Sequence, residues 1–336
     1  MKRVYIFLVF AVIVLFVGFI FSRKLSITKI GEWGSGGCET LYVQGDYAYC
    51  AAGENRGIDI IDIAYPSEPV KVANAAIPGS VTGIFIEGRY AYAAAKESGL
   101  YIIDITHPTQ PVTAGKYRAR GNALDVYVQG PFAYVASGTN GIEIVNITNP
   151  ANPTYAGEYN TPGIARGIQV NGNYAYITDS PNGLLILDIT SPASPHLLGK
   201  HTTPGFARRV YVHDNYAYIA IDEDGLAIFD VTIPSSPTAL GNCSLPNNLW
   251  DIHIRGKYAY VANGTAGLQV LDVSDPASPN PVGRYTTTGT VKDVFVRNNY
   301  AFIADGNNRN LLILYIDKSG NMPPLNTIHR PRFTRR

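Results

Sequence analysis

Beyond about residue 40 the chain alternates apolar and polar residues in runs of four to seven, each run ending at a Gly, Asn or Pro break. The unit is clearest from Gly121 to Pro162, which contains four such runs: Leu124–Gln129, Phe132–Ala136, Ile142–Ile147 and Thr154–Tyr159. Apolar residues at the i, i+3, i+4 spacing of a helix are absent from it, and its Tyr, Val and Ile favour strands. The breaks between the runs, Gln-Gly, Thr-Asn-Gly and Asn-Pro-Ala-Asn-Pro, supply turns. Each unit therefore predicts four antiparallel strands, the content of one propeller blade.

The unit repeats. The tyrosine opening its second strand recurs at Tyr47, Tyr90, Tyr174, Tyr216, Tyr258 and Tyr300, with Phe132 in the third copy. A Pro-x-x-Pro turn recurs every 42 residues, its first proline at Pro66, Pro108, Pro150, Pro192, Pro234 and Pro276. A period of this length marks a repeat architecture, and seven copies predict an all-β, seven-bladed propeller. The last copy ends after its third strand, Leu311–Ile316, with no proline turn behind it. The missing fourth strand is expected at the other end of the chain. Ile27–Trp33 aligns with Thr154–Tyr159, placing Gly31 on Gly157 and Trp33 on Tyr159. Such a strand would close the ring and remove a free sheet edge.

The third strands read GIDIIDI from Gly57, GLYIIDI from Gly99, GLLILDI from Gly183 and GLQVLDV from Gly267. Together with the Tyr-Ala-Tyr strand and the proline turn, these resemble the LVIVD-repeat family of β-propellers over about residues 26–316. The resemblance implies seven blades, often on exported or surface-attached proteins, with no catalytic motif to carry over. The seventh copy departs from it, with Tyr315 where the others carry Asp or Asn.

Val4–Phe21 is an uninterrupted run without charge, flanked by Lys2 and Arg3 before it and Arg23 and Lys24 after it. As a helix it would span roughly 27 Å, enough for a bilayer core, and it lacks the small-residue pairs of a good cleavage site. An uncleaved anchor over 1–24 is expected, with the propeller over 25–317 on the extracytoplasmic side. Secretion after signal cleavage is the alternative. Residues 318–336 are rich in proline and arginine and read as a basic, disordered tail.

Composition adds exclusions. A net charge of +1 gives no global case for a nucleic-acid partner. Three cysteines, Cys38, Cys50 and Cys243, form no C-x-x-C and have no nearby histidine pair, so neither a metal nor a cofactor is expected. Cys50 replaces the Val or Ala of other copies and reads as a small buried residue. No nucleophile elbow, P-loop or zinc-protease motif is present, which argues against an enzyme without closing the question.

The residues recurring once per copy at Asp62, Asp104, Asn146, Asp188, Asp230 and Asp272 read as acceptors for turn N–H groups rather than as ligands. That role removes Asn146 as a glycan acceptor and leaves Asn263-Gly264-Thr265 as the better sequon. Asp222, Glu223 and Asp224 could offer oxygens to Ca²⁺ but read as a solvated turn.

What differs between copies is more informative. The residues leading into each first strand converge on one mouth of a propeller: Glu39 and Thr40, Thr82 and Gly83, Leu124 and Asp125, Arg166 and Gly167, Arg208 and Arg209, Trp250 and Asp251, Lys292 and Asp293. Arg166, Arg208, Arg209, Trp250, Asp251, Lys292, Asp293 and Asp125 are the candidate ligand-binding residues. Cations beside an indole suit an acidic group on a protein or glycan partner. The alternatives are a structural cell-surface spacer or lattice component, whose funnel charges only pair with one another, and an unrecognised propeller hydrolase or lyase.

Overall fold

The computed structural model describes residues 24–34, 37–306 and 310–317. The proposed membrane segment Val4–Phe21 and the basic tail lie outside these. No helix among the described residues is long and apolar enough to cross a membrane.

Every described run becomes a strand. Seven antiparallel sheets of four strands, a to d from the axis outward, form seven blades. The third blade shows the pattern: Asp125–Gln129, Phe132–Ala136, Ile142–Asn146 and Thr154–Tyr159. Strands b and c are almost wholly buried, because each sheet is covered on both faces by its neighbours. The core is accordingly divided into apolar layers between blades. One of them joins Tyr92, Leu100 and Ile102 of the second blade to Val126, Val135 and Val145 of the third.

The seventh sheet is completed from the other end of the chain. Strand Ser26–Trp33 pairs antiparallel with Asn310–Asp317, setting Gly31 opposite Ile313 and Trp33 opposite Leu311. In the third blade Gly157 faces Ile144 and Tyr159 faces Ile142, so the register is that of an ordinary outer strand. Even the irregularity matches. Both strands slip by one residue just before the glycine. Trp33 is buried against Leu41 and Ile61 of the first blade, so the closing strand also joins the core between blades seven and one.

That glycine explains the proline turn. A Cβ on Gly157 would collide with the carbonyl oxygen of Pro192, the first proline of the next blade's turn, and one on Gly31 with that of Pro66. The same contact joins Gly115 to Pro150, Gly199 to Pro234 and Gly241 to Pro276, and closure repeats it across the chain ends; blade one carries Ala73 at this position.

The recurring acidic position behaves as a turn acceptor throughout. Asp62, Asp104, Asn146, Asp188, Asp230 and Asp272 each accept a hydrogen bond from the backbone N–H two residues on, at 2.8–3.0 Å. Cys50 and Cys38 are buried and Cys243 is half-buried, all three as free thiols. One expectation is overturned. Asn263 is fully buried, its side-chain amide enclosed beneath the loop it opens, so it cannot accept a glycan.

Adding one methyl group tests the closing contact. Gly31→Ala is expected to cost about 1–3 kcal/mol, as overpacking does in a filled interior, and to match Gly157→Ala measured by chemical denaturation. A neutral Gly31→Ala beside a costly Gly157→Ala would mean that the N-terminal strand is not docked.

Candidate functional site at the propeller axis

The innermost strands run Leu41–Gln44, Gly83–Glu87, Asp125–Gln129, Ile164–Asn171, Ala207–His213, Asp251–Arg255 and Val291–Arg297. Seven-fold repetition brings equivalent positions of these strands together around the axis. Three such rings, one below another, define the site.

The upper ring is Glu39, Thr82, Leu124, Arg166, Arg208, Trp250 and Lys292. These line a cavity of about 510 Å³ at the mouth, with Arg56 and Lys96 from the loops between strands b and c. The three longest innermost strands each carry a bulge there. Pairing skips from Ala165 to Gly167, from Ala207 to Arg209 and from Val291 to Asp293. The extra residues are Arg166, Arg208 and Lys292. A bulge re-aims side chains that strict alternation would send to opposite faces, which is how Arg208 and Arg209 both reach the axis.

Most upper-ring charges are internally matched. Arg208 forms a two-pronged pair with Asp222, with Nη2 at 3.1 Å from Oδ2, and its guanidinium lies 4.1 Å from the ring centre of Trp250. Lys292 donates to Glu39 at 2.5 Å and sits 5.6 Å from the same indole. Asp222 is therefore committed to an arginine. Among the described residues no group of three or more His, Cys, Asp or Glu is placed to hold a metal.

Arg166 is different. It is half-buried, forms no ion pair among the described residues, and its Nε is enclosed without a hydrogen-bond partner. Burial and the neighbouring charge of Arg208 both pull its pKa below the usual arginine range, only partly opposed by Asp222. This guanidinium is held where a positive charge is costly and no protein anion compensates it fully.

The middle ring is Thr40, Gly83, Asp125, Gly167, Arg209, Asp251 and Asp293. Here Arg209 is locked rather than free. Its guanidinium pairs with Asp125 at 2.5 Å, lies 3.8 Å from Asp251 and donates to the carbonyl of Thr82 at 3.0 Å, so one side chain of the fifth blade ties blades two, three and six. The carboxylates also stitch blades together. Asp125 accepts from the N–H of Ile168 at 3.0 Å, Asp251 from Val294 at 3.2 Å, and Asp293 from Leu41 at 3.1 Å and from the hydroxyl of Thr40.

Burial opposes charge on Arg209, but the carboxylates outweigh it and its pKa is raised. Asp251 and Asp293 are both raised by burial, and Asp251 also by the charge of Asp293 beside it. Removing one member of such a buried set strands the others, at a typical cost of about 3–5 kcal/mol. Arg209, Asp125, Asp251 and Asp293 therefore form a partition across the axis, and Arg209 and Asp293 line the mouth cavity above it. Arg166, Arg208, Trp250 and Lys292 form the wall of that cavity.

The lower ring was not among the candidates read from sequence. Tyr42, Phe85, Tyr127, Gln169, Tyr211, His253 and Phe295 line a second cavity of about 340 Å³ on the far side of the partition. Their signal is visible only once copies are aligned, as six aromatic rings and one amide at a single position of the repeat. Burial lowers the pKa of His253 to about 4, helped by the charge of Arg255, so the imidazole is neutral at pH 7.

The fold and axis define a closed seven-bladed β-propeller with a charged partition across its channel. The LVIVD repeat matches residues 35–76, 78–119, 120–161, 162–203, 204–244, 248–287 and 288–319, and the chain belongs to this repeat family. Solved structures share the fold at low identity. The WD40 domain of Neurospora crassa Pan2 matches with a TM-score of 0.67 and 14% identity over 90% of this chain and 97% of that one. BamB from Moraxella catarrhalis gives 0.61 and 14% over 88% and 100%. The computationally designed Ika8 protein gives 0.64 and 8% over 82% of each. No curated protein matches the sequence.

The depressed His253 pKa carries a pH signature. Between its usual value near 6.5 and about 4, an unfolded chain takes up a proton that the folded chain refuses, so this residue costs stability as the pH falls through that window. His253→Phe, which supplies the ring type found at Phe295 and Phe85, is expected to narrow the loss between pH 7 and pH 4 in thermal melts. An unchanged difference would contradict a buried neutral imidazole.

Proposed function

We propose that this protein is a binding module, anchored in a membrane by Val4–Phe21 within residues 1–24, that presents its propeller on the extracytoplasmic side. The mouth cavity captures an acidic group on a protein or glycan partner.

The observation that carries the reading is Arg166. A half-buried guanidinium facing a second cation, with the nearby Asp222 already committed to Arg208, is an incomplete site, and a carboxylate, sulfate or phosphate would complete it. Arg56 and Lys96 form no ion pair among the described residues either, so the wall has cations to spare once Arg208 and Lys292 are matched. Planar guanidinium favours bidentate capture of an oxyanion, and the indole of Trp250 offers a face for a sugar ring or another flat group. Arg166, Arg208 and Lys292 are bulge residues outside the repeating core pattern, whereas Trp250 also packs on the core between blades six and seven.

Arg166→Ala separates binding from folding, because Arg166 supports no ion pair. With the detergent-solubilised full chain, capture of acidic glycans or acidic peptides on an array is expected to fall tenfold or more. This corresponds to about 1.5–3 kcal/mol for a charged hydrogen bond. Melting temperature should be unchanged or raised. Equal capture by the two proteins would place the partner on the outer loops and contradict this reading.

A further inference from the structure

The chamber below the partition has a chemistry opposite to that of the mouth. Five ring pairs make an almost continuous collar. Phe85 lies 4.5 Å from Tyr127 and 5.6 Å from Tyr42 between ring centres, Tyr42 lies 4.9 Å from Phe295, and His253 lies 4.7 Å from Phe295 and 5.3 Å from Tyr211. Gln169 takes the seventh place and is held by the backbone of Val212, donating to its carbonyl at 3.0 Å and accepting from its N–H at 2.7 Å. Neighbouring rings are tilted by 47–63° rather than stacked, and all six are only partly buried, so π surface is left facing the chamber. No hydroxyl of Tyr42, Tyr127 or Tyr211 has a protein hydrogen-bond partner among the described residues.

The roof of this chamber is the partition, and its balance is negative. Three carboxylates, Asp125, Asp251 and Asp293, surround the single guanidinium of Arg209, and all four residues also line the lower cavity. The π faces of aromatic rings attract a cation, most strongly when it is weakly hydrated and held away from water. An inorganic divalent ion would instead need several oxygen ligands released from Arg209 and the backbone N–H groups that hold them.

We propose that the aromatic collar and the acidic partition form a second ligand site, independent of the mouth cavity, for a small free alkylammonium ion such as a trimethylammonium head. This inference does not depend on Arg166 or on the identity of any acidic partner. The collar supplies shape and cation–π attraction, and the partition sets the sign of the charge.

The probe is tetramethylammonium, titrated into the full chain at pH 7, where His253 is neutral, with neopentyl alcohol as its uncharged counterpart. Saturable binding of tetramethylammonium at least tenfold tighter than neopentyl alcohol is expected. Its methyl protons should move upfield in the bound state, because ring currents shield a group held over aromatic faces. Phe85→Leu combined with Phe295→Leu should weaken binding about tenfold, and the upfield shift in the unmutated chain keeps the test decisive if that variant does not fold. Arg166→Ala should leave binding unchanged.

Equal affinity for the two probes would reduce the site to an apolar cavity and overturn the proposal. So would binding without an upfield shift, or loss of binding in Arg166→Ala. Choline binding more tightly than a trimethyllysine peptide supports a free ion, and the reverse order overturns that assignment.

Discussion

The structure depends on a ring that has to close with strands from both ends of the chain. Six blades are continuous in sequence, but the seventh would expose the edge of Asn310–Asp317 if Ser26–Trp33 did not pair with it. An open propeller would lose more than one strand. It would lose the core layer containing Trp33, Leu41 and Ile313, which repeats the layers between the other blades, and the docking of the Pro66 turn on Gly31, which recurs at Gly115, Gly157, Gly199 and Gly241. Closure is therefore a matter of packing as well as backbone pairing, and it fixes the circumference on which the axial residues sit.

Function follows from that circumference. A closed ring of seven equivalent strands places one residue per blade at each level, so chemistry at the axis is written across the whole chain rather than in any local motif. At one level the repeat supplies three carboxylates and a single guanidinium, which hold one another and join distant blades. Above it the excess is cationic, and below it the surface is aromatic. The partition keeps these two environments apart and is the reason they can differ in sign.

The architecture was legible because it is repetitive. Seven copies of one pattern average out local ambiguity, and the short seventh copy pointed to Ile27–Trp33 as its missing strand. The wall of the mouth was also legible, since Arg166, Arg208, Trp250 and Lys292 break an otherwise regular pattern. What sequence could not convey was how charges share their partners. Arg209 reads as one more cation next to Arg208, yet the bulge at Arg208 sends it into the partition, where Asp125 and Asp251 hold it. The aromatic collar was hidden for another reason. Tyr42 and Phe85 look like ordinary strand residues until the ring brings them together. Asn263 shows the converse error, because a polar residue before a glycine turn resembles an exposed loop and is here enclosed.

Native-state hydrogen exchange on the closing strand tests the account most directly. If the ring is closed as described, the paired amides of Ser26–Trp33 should be protected to the same free energy as those of Thr154–Tyr159, the equivalent strand of an internal blade. Amides of Ser26–Trp33 that exchange freely while Thr154–Tyr159 stays protected would contradict a propeller closed by its N-terminal strand.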